Sequence, residues 1–375
     1  MKKVFKAFLY FMLGLLTLVL LVFIGSAIFI NTSPQFGADP EGERLDRISA
    51  STHFKEGKFE NEVPTKAGED GDLGKILSDF FTAEHTIPEE ALPTKYGEGE
   101  DERIDSLAYL SWFGHSAFLL EIDGFNILID PMLGEYAAPV SFFGERFPFK
   151  KNIDFSLIPD RIDAVIYSHD HYDHLDYPTV ERIKDKVAHF YMPLGMGAHF
   201  ESWGIEPERI TELDWWESAE AGPLTFVATP ARHFSGRGVS NRDKTFWASW
   251  VILGKWQKLF FSGDGGYFKG FKEIGDRYGP FDFTMIECGQ YNTQWAQIHM
   301  MPEESVQAHL DLKGKVMMPI HWGAFNLAPH SWKDPIERAG KKARELGAQM
   351  FTPIVGERFA VSDSMQSKDW WSTIE

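Results

Sequence analysis

The chain has 375 residues, 43% of them hydrophobic and 15% aromatic, enough for a large core in one big domain or two ordinary ones. With 55 acidic against 37 basic residues its net charge is −18, a surface that repels nucleic-acid backbone, although bound cations would reverse the field locally for a phosphate substrate. The one cysteine, Cys288, excludes an intrachain disulfide, and none follows the N-terminal apolar run as a lipid-modified N-terminus would require.

Residues 7–30 carry no charge and are mostly Leu, Phe, Ile and Val. About 20 such residues span a bilayer as a helix. Lys2, Lys3 and Lys6 precede the run, and Asp39, Glu41 and Glu43 follow it. The positive-inside rule then places the N-terminus in the cytoplasm and the remainder outside, as a single-pass membrane protein. The alternative is export with cleavage near Gly25-Ser26-Ala27, for which the run is long. Residues 1–30 are therefore expected to be a transmembrane anchor or signal segment. Residues 31–103 are polar and acidic with scattered Pro and Gly, which predicts a linker and an N-terminal arm wrapping the domain. An amphipathic helix is expected at 73–81.

The texture changes near Leu107, and a catalytic domain is expected over 104–375. Apolar runs at 107–113 and 117–122 flank Gly114-His115-Ser116, and 126–130 follows Asp123-Gly124, as in a strand meander. Further strands are expected at 164–167, 224–228, 246–253, 258–261, 283–286 and 316–320, with helices at 179–186, 302–312 and 334–346. This order predicts an α/β fold whose sheets carry helices on their outer faces.

Directly after the run 164–167 comes Ser168-His169-Asp170-His171-Tyr172-Asp173-His174. Imidazole nitrogens and carboxylate oxygens are the ligands zinc prefers. His169 and His171 lie two apart, so in extended chain both point the same way, while Asp173 and His174 follow around a turn and can face a second ion. Packing needs no such cluster, and imidazoles this close repel on protonation unless a metal or carboxylates stabilise them. His233, Asp264 and His321 each sit just past another predicted strand. Taken singly they read as a loop histidine, a turn aspartate before Gly265-Gly266, and a buried hydrogen-bonded histidine. Four strand ends that all supply His or Asp read instead as one site, because loops converge at strand ends.

This set resembles the metallo-β-lactamase-fold hydrolases, whose mark is His-x-His-x-Asp-His followed by a distant His, Asp and His. Here the matching residues are His169, His171, Asp173, His174, His233, Asp264 and His321. The similarity is close to one branch, the N-acylphosphatidylethanolamine-hydrolysing phospholipase D group and its bacterial relatives. It is carried also by Trp112-Phe113-Gly114-His115-Ser116, Ile129-Asp130-Pro131, Glu212-Leu213-Asp214-Trp215-Trp216, Pro302-Glu303-Glu304 and His321-Trp322-Gly323, and runs from about Leu107 to Phe359. The resemblance implies a four-layer αββα sandwich, here preceded by a transmembrane helix, with two metal ions between the sheets. They would be zinc, although manganese or iron can use the same ligands. It assigns His169, His171 and His233 to one ion, and Asp173, His174 and His321 to the other. Asp264 bridges both, which makes Asp173 and Asp264 catalytic as well as ligating. Open positions on such ions lower the pKa of water and stabilise a developing oxyanion.

The resemblance further implies a phosphodiesterase of the phospholipase D kind, acting on N-acylated or other phospholipids or on a small phosphodiester. A membrane anchor favours a lipid by holding the site near the bilayer. The same metals would also serve a lactonase or another ester or amide hydrolase. A nuclease is disfavoured by the charge, and an envelope-assembly protein with a relic site has no need of all seven groups. An oligomer is compatible with each reading. The segment Gly289-Gln290-Tyr291-Asn292-Thr293-Gln294-Trp295 departs from the family pattern by lacking its Pro-Arg pair, and with it a basic group near the substrate. Gln290, Tyr291 and Asn292, with Arg232 and Arg237, are the candidate substrate contacts, and His299 is the candidate proton-transfer histidine. His115 reads as a strand-turn histidine bonding backbone. Asp163, Asp170 and Asp176 are expected to orient ligands or cap turns, and Trp215, Trp216 and Trp322 to form core or pocket wall.

Overall fold

The computed structural model describes residues 2–66, 68, 71–97 and 103–375; the remaining positions of the expected arm, 67, 69, 70 and 98–102, lie outside the described residues. The apolar run forms the helix Lys2–Thr32, with no buried residue. It is long and apolar enough to cross a membrane.

Two seven-stranded sheets follow. In the first, the strand order is Arg358–Ala360, Tyr109–Trp112, Phe118–Ile122, Phe125–Ile129, Ala164–Ile166, Phe190–Pro193 and Ile210–Leu213. In the second it is Gln349–Met350, Gly314–Ile320, Phe281–Glu287, Lys258–Phe261, Ser249–Leu253, Leu224–Thr229 and Ser218–Ala221. Each sheet is antiparallel in one half and parallel in the other. Parallel pairing sends the C-terminal ends of neighbouring strands to the same edge, and the ligand-bearing loops leave from those ends.

The alternation of side chains along each strand separates three cores. Leu120, Ile127, Ile129 and Ile166 of the first sheet join Phe226, Trp250, Phe261, Met285 and Met318 of the second in the core between the sheets. Their strand neighbours Leu119, Leu128 and Val165 face outward, against Val180, Ile183 and Phe200 from the helices Tyr177–Ile183 and Gly197–Ser202. On the other side Val227, Val251, Phe260 and Met317 meet Ile274, Val306 and Ala339 from the helices Gly270–Arg277, Pro302–Asp311 and Asp334–Leu346. Three cores between four layers make the αββα sandwich.

Two expectations change in detail. The run 246–253 pairs as a strand only from Ser249. Before it the backbone crosses to the first sheet, with Phe246 N–H donating to Leu194 O at 2.7 Å and Ala248 N–H to Ser168 O at 2.9 Å. The strands Phe190–Pro193, Ile210–Leu213 and Ser218–Ala221 were not legible, being four residues each and, in the last two, partly polar. Part of the arm is integral to the domain. Ile48, Phe59 and Leu92 enter the inter-sheet core, and Arg44 pairs with Glu201 and Glu212 at 2.6 and 2.9 Å. The expected helix at 73–81 spans Leu73–Thr82, with Asp72 capping it through Lys75 N–H at 3.1 Å.

Candidate metal centre

The loop after Ala164–Ile166 is set by its parallel neighbour. Asp130, at the end of Phe125–Ile129, accepts Ser168 N–H at 2.7 Å and lies 2.7 Å from His174 Nδ1. A carboxylate on Nδ1 fixes the tautomer, leaving the Nε2 lone pair free. That atom lies 3.1 Å from Asp264 Oδ2. Asp170 points away from the site and accepts from Gly236 N–H and Thr245 Oγ1, both at 2.7 Å, with His199 Nε2 at 3.2 Å, which pins the loop from behind. Asp176 caps the next helix through Thr179 N–H at 3.1 Å.

His169, His171 and His233 form one group. His169 Nε2 is 2.9 Å from His171 Nδ1, and His233 Nε2 is 3.2 Å from that same atom. The far nitrogen of His233 lies 2.9 Å from the carbonyl of Ile298. Asn61 of the arm holds the backbone here, accepting His233 N–H at 3.0 Å and donating to its carbonyl at 2.7 Å. His115, Asp173, His174 and His321 form a second group of potential ligands. Asp264 lies between the two. Its Oδ2 is 3.9 and 4.0 Å from the Nε2 atoms of His169 and His233, and its Oδ1 is 3.1 Å from His321 Nδ1. Gly289 permits this approach of strand ends, since a Cβ there would collide with the carbonyl of His321.

These donors fit divalent cations. His174 Nε2 and Asp264 Oδ1 are buried without a well-formed hydrogen bond, an arrangement that is costly unless something else fills it. Burial, then the neighbouring imidazoles, hold His169 and His233 well below the ordinary histidine range. Burial brings His171 down to about 4. Neutral imidazoles are the ligating form. Burial raises the Asp264 carboxyl. Burial also works against charge on Asp173, but His174 and the contact with His115 outweigh it and hold that carboxyl well below the carboxylate range.

The groups open into a cavity of about 300 Å³ lined by His171, Asp173, Asp264, His299 and His321 with Phe80, Phe234, Gln290, Trp295, Ile298 and Leu327. A larger cleft of about 920 Å³, lined in part by Gln35 and Tyr172, includes none of the candidate ligands. His299 stacks on His321 at 5.3 Å between ring centroids, and its Nδ1 is 3.1 Å from Glu287 Oε1.

Among the candidate substrate contacts, Gln290 reaches the cavity wall, where its amide is engaged by Phe325 O and Leu327 N at 2.9 and 2.8 Å. The other four do not line it. The Tyr291 hydroxyl accepts from Arg338 at 2.9 Å. Asn292 accepts Gln294 N–H at 2.8 Å. Arg232 donates to Thr65 and Pro64 of the arm at 3.0 and 3.1 Å. Arg237 is buried, donating to Asp170 O and Leu175 O at 2.6 and 2.7 Å and to Gln35 O at 2.7 Å. Sequence reasoning left Asp130, Glu287 and Asn61 without roles. Asp130 and Glu287 carried the signal used for Asp264, a charge ending an apolar strand; Asn61 carried none. The His115 backbone bonds as expected, its N–H donating to Trp322 O at 3.0 Å, but its ring joins the site.

Comparison with known proteins agrees with this geometry. A family model described as a beta-lactamase superfamily domain matches residues 125–322. An uncharacterized protein of Mycobacterium tuberculosis is 41% identical over 347 residues, covering 91% of this chain and 92% of that protein. The N-acyl-phosphatidylethanolamine-hydrolyzing phospholipase D 1 of Caenorhabditis elegans is 28% identical over 308 residues, covering 78% of this chain and 86% of that one. The solved structure of Igni18, a metallo hydrolase from Ignicoccus hospitalis, shares the fold with a TM-score of 0.53 at 23% identity, over 68% of this chain and 99% of its own. The chain belongs to the metallo-β-lactamase superfamily and is a metal-dependent hydrolase of that fold. Enzymes that hydrolyse N-acyl-phosphatidylethanolamine are among its relatives.

Proposed function

We propose that the chain is a membrane-anchored phosphodiesterase that cleaves phospholipids, N-acylated ones included, in a phospholipase D-like reaction with two divalent ions, zinc first among them. The observation that carries it is the position of Asp264, whose two oxygens face His174 and His321 at 3.1 Å and reach towards His169 and His233. One carboxylate between two imidazole groups is what a paired-ion site requires. His169, His171 and His233 would hold one ion, and Asp173, His174 and His321 the other. The ions would supply Lewis acidity and a water acidified to near neutral pH.

The chain's own groups divide the remaining work. Glu287 engages Nδ1 of His299, which leaves the Nε2 lone pair to take a proton from the attacking water and then hand it, from the imidazolium so formed, to the departing alkoxide. Phe80, Phe234, Trp295 and Leu327 give the mouth an apolar wall suited to a lipid. The named activity of the worm and yeast relatives supports the phospholipid. The helix Lys2–Thr32 supports retention in a membrane, with the N-terminus cytoplasmic by its flanking lysines.

The test is a panel in detergent with the metal-loaded full chain: N-acylphosphatidylethanolamine, a soluble phosphodiester and a lactone. Release of phosphatidic acid is the expected result. Turnover of the lactone alone would move the protein to the lactonases.

A further inference from the structure

The helix Leu73–Thr82 contains no buried residue. Leu73, Leu77, Phe80 and Phe81 are 66%, 50%, 41% and 87% exposed. Their spacing of four, seven and eight positions puts them on one helical face. Four large apolar side chains together on the surface are unusual for a water-facing helix. The position of the helix is fixed. Asp72 N–H and Lys66 N–H, at and before its start, donate to Gln294 and Gln297 at 3.0 and 2.8 Å, and Phe80 lines the cavity beside His171 and Asp173. Its two charges, Lys75 and Asp79, pair with each other at 2.7 Å, so the helix carries no net charge.

The exit of the helix Lys2–Thr32 packs close to the same site. Four residues past Thr32, Phe36 packs edge-on against Tyr172 with centroids 6.0 Å apart. Arg237 donates to Gln35 O, and the Trp203 indole donates to Pro34 O at 2.7 Å. The exit of the membrane helix is thus fastened to the loop that carries His171 and Asp173. The exit of the helix Lys2–Thr32 and the mouth of the site therefore share that loop, whose His171 and Asp173 line the cavity.

We infer that Leu73–Thr82 is an interfacial helix whose Leu73, Leu77 and Phe81 enter the outer part of the bilayer, so that the metal site opens onto lipid rather than water. This rests on the reading of Lys2–Thr32 as a retained anchor. The partner is a zwitterionic lipid surface: the helix offers apolar area without net charge, and a chain of net charge −18 is not drawn to anionic lipid.

The single native cysteine makes the test direct. Cys288 is buried, and burial keeps its thiol well above the ordinary range, so a thiol introduced at Phe81→Cys takes an environment-sensitive fluorophore selectively. Trp256→Cys is the control: it is 59% exposed in the turn that precedes Lys258–Phe261, at the opposite end of that strand from Asp264. With the full chain in phosphatidylcholine vesicles, the label at 81 should be quenched by doxyl-labelled lipid and be roughly fivefold less accessible to iodide than the label at 256. Equal iodide quenching at both positions would overturn the inference. Shielding at 81 without lipid quenching would also overturn it and point to a second copy of the chain. Intact mass reports separately on the anchor: a shortened chain would remove that reading, and the same quenching with added vesicles would still decide the helix. Phe81→Ser should lower turnover of vesicle-embedded phospholipid roughly tenfold and leave a soluble substrate unchanged; an equal loss on both substrates would count against the interfacial role.

Discussion

The Nε2 atom of His115 lies 2.9 Å from Asp173 Oδ2, bringing a turn histidine 58 residues upstream against a carboxylate of the proposed second ion. Burial holds His115 down to about 4, against the pull of Asp173. A neutral ring there donates one hydrogen bond and fixes which carboxylate oxygen faces the site. His115→Ala should therefore weaken the second ion about 10- to 100-fold, the usual cost of removing such a support, and leave the first nearly unchanged. Competition with a fluorescent chelator measures both; equal loss at the two sites would contradict this assignment.

Asp170 makes a different kind of contribution. Its buried carboxylate accepts from Gly236 N–H, Thr245 Oγ1 and His199. These groups lose their partner together in Asp170→Ala, which should cost about 3 kcal/mol in urea unfolding. A cost near zero would mean that the ligand loop is held by its metals alone.

Chelation should both inactivate and destabilise the protein. Without cations, His174 Nε2 and Asp264 Oδ1 have no well-formed partner in a buried site. EDTA should lower Tm, and zinc should restore it. An unchanged Tm would show that the site is not a cation site in the folded chain.

His309 gives the pH dependence of folding at a position away from the site. It is buried against Thr284 Oγ1 at 2.7 Å, and burial brings it down to about 4. The unfolded chain takes up the proton near pH 6.5, whereas the folded chain resists until about 4. Stability is therefore full above pH 6.5 and falls as pH drops towards 4, by roughly 3 kcal/mol from this group. His309→Asn should flatten that part of the profile; an unchanged slope between pH 6.5 and 4 would contradict it.

What the sequence disclosed follows from range. His169 to His174 were legible because local alternation and one strand end place them, and Asp264 and His321 because a charge or imidazole ends an apolar run. Sheets with helices on their outer faces were legible from the order of the runs, a strand meander followed by strands alternating with helices, and strands buried on both faces, such as Leu119 beside Leu120, are the packed result. His115 against Asp173, Arg237 against Gln35 and Asn61 against His233 were not legible, since each joins segments 58 to 202 residues apart with no local pattern. Arg232 and Arg237 looked like phosphate contacts because a loop arginine near histidines reads that way. Their guanidinium groups bind backbone carbonyls of the arm and of the segment just past the helix Lys2–Thr32.

The most direct test is hydrolysis of N-acylphosphatidylethanolamine in ¹⁸O-water by the metal-loaded full chain, with Asp264→Asn as control. One ¹⁸O is expected in the phosphate of the released phosphatidic acid, with no phosphatidic acid formed by the variant. Label in a released fatty acid, or equal turnover by Asp264→Asn, would contradict it.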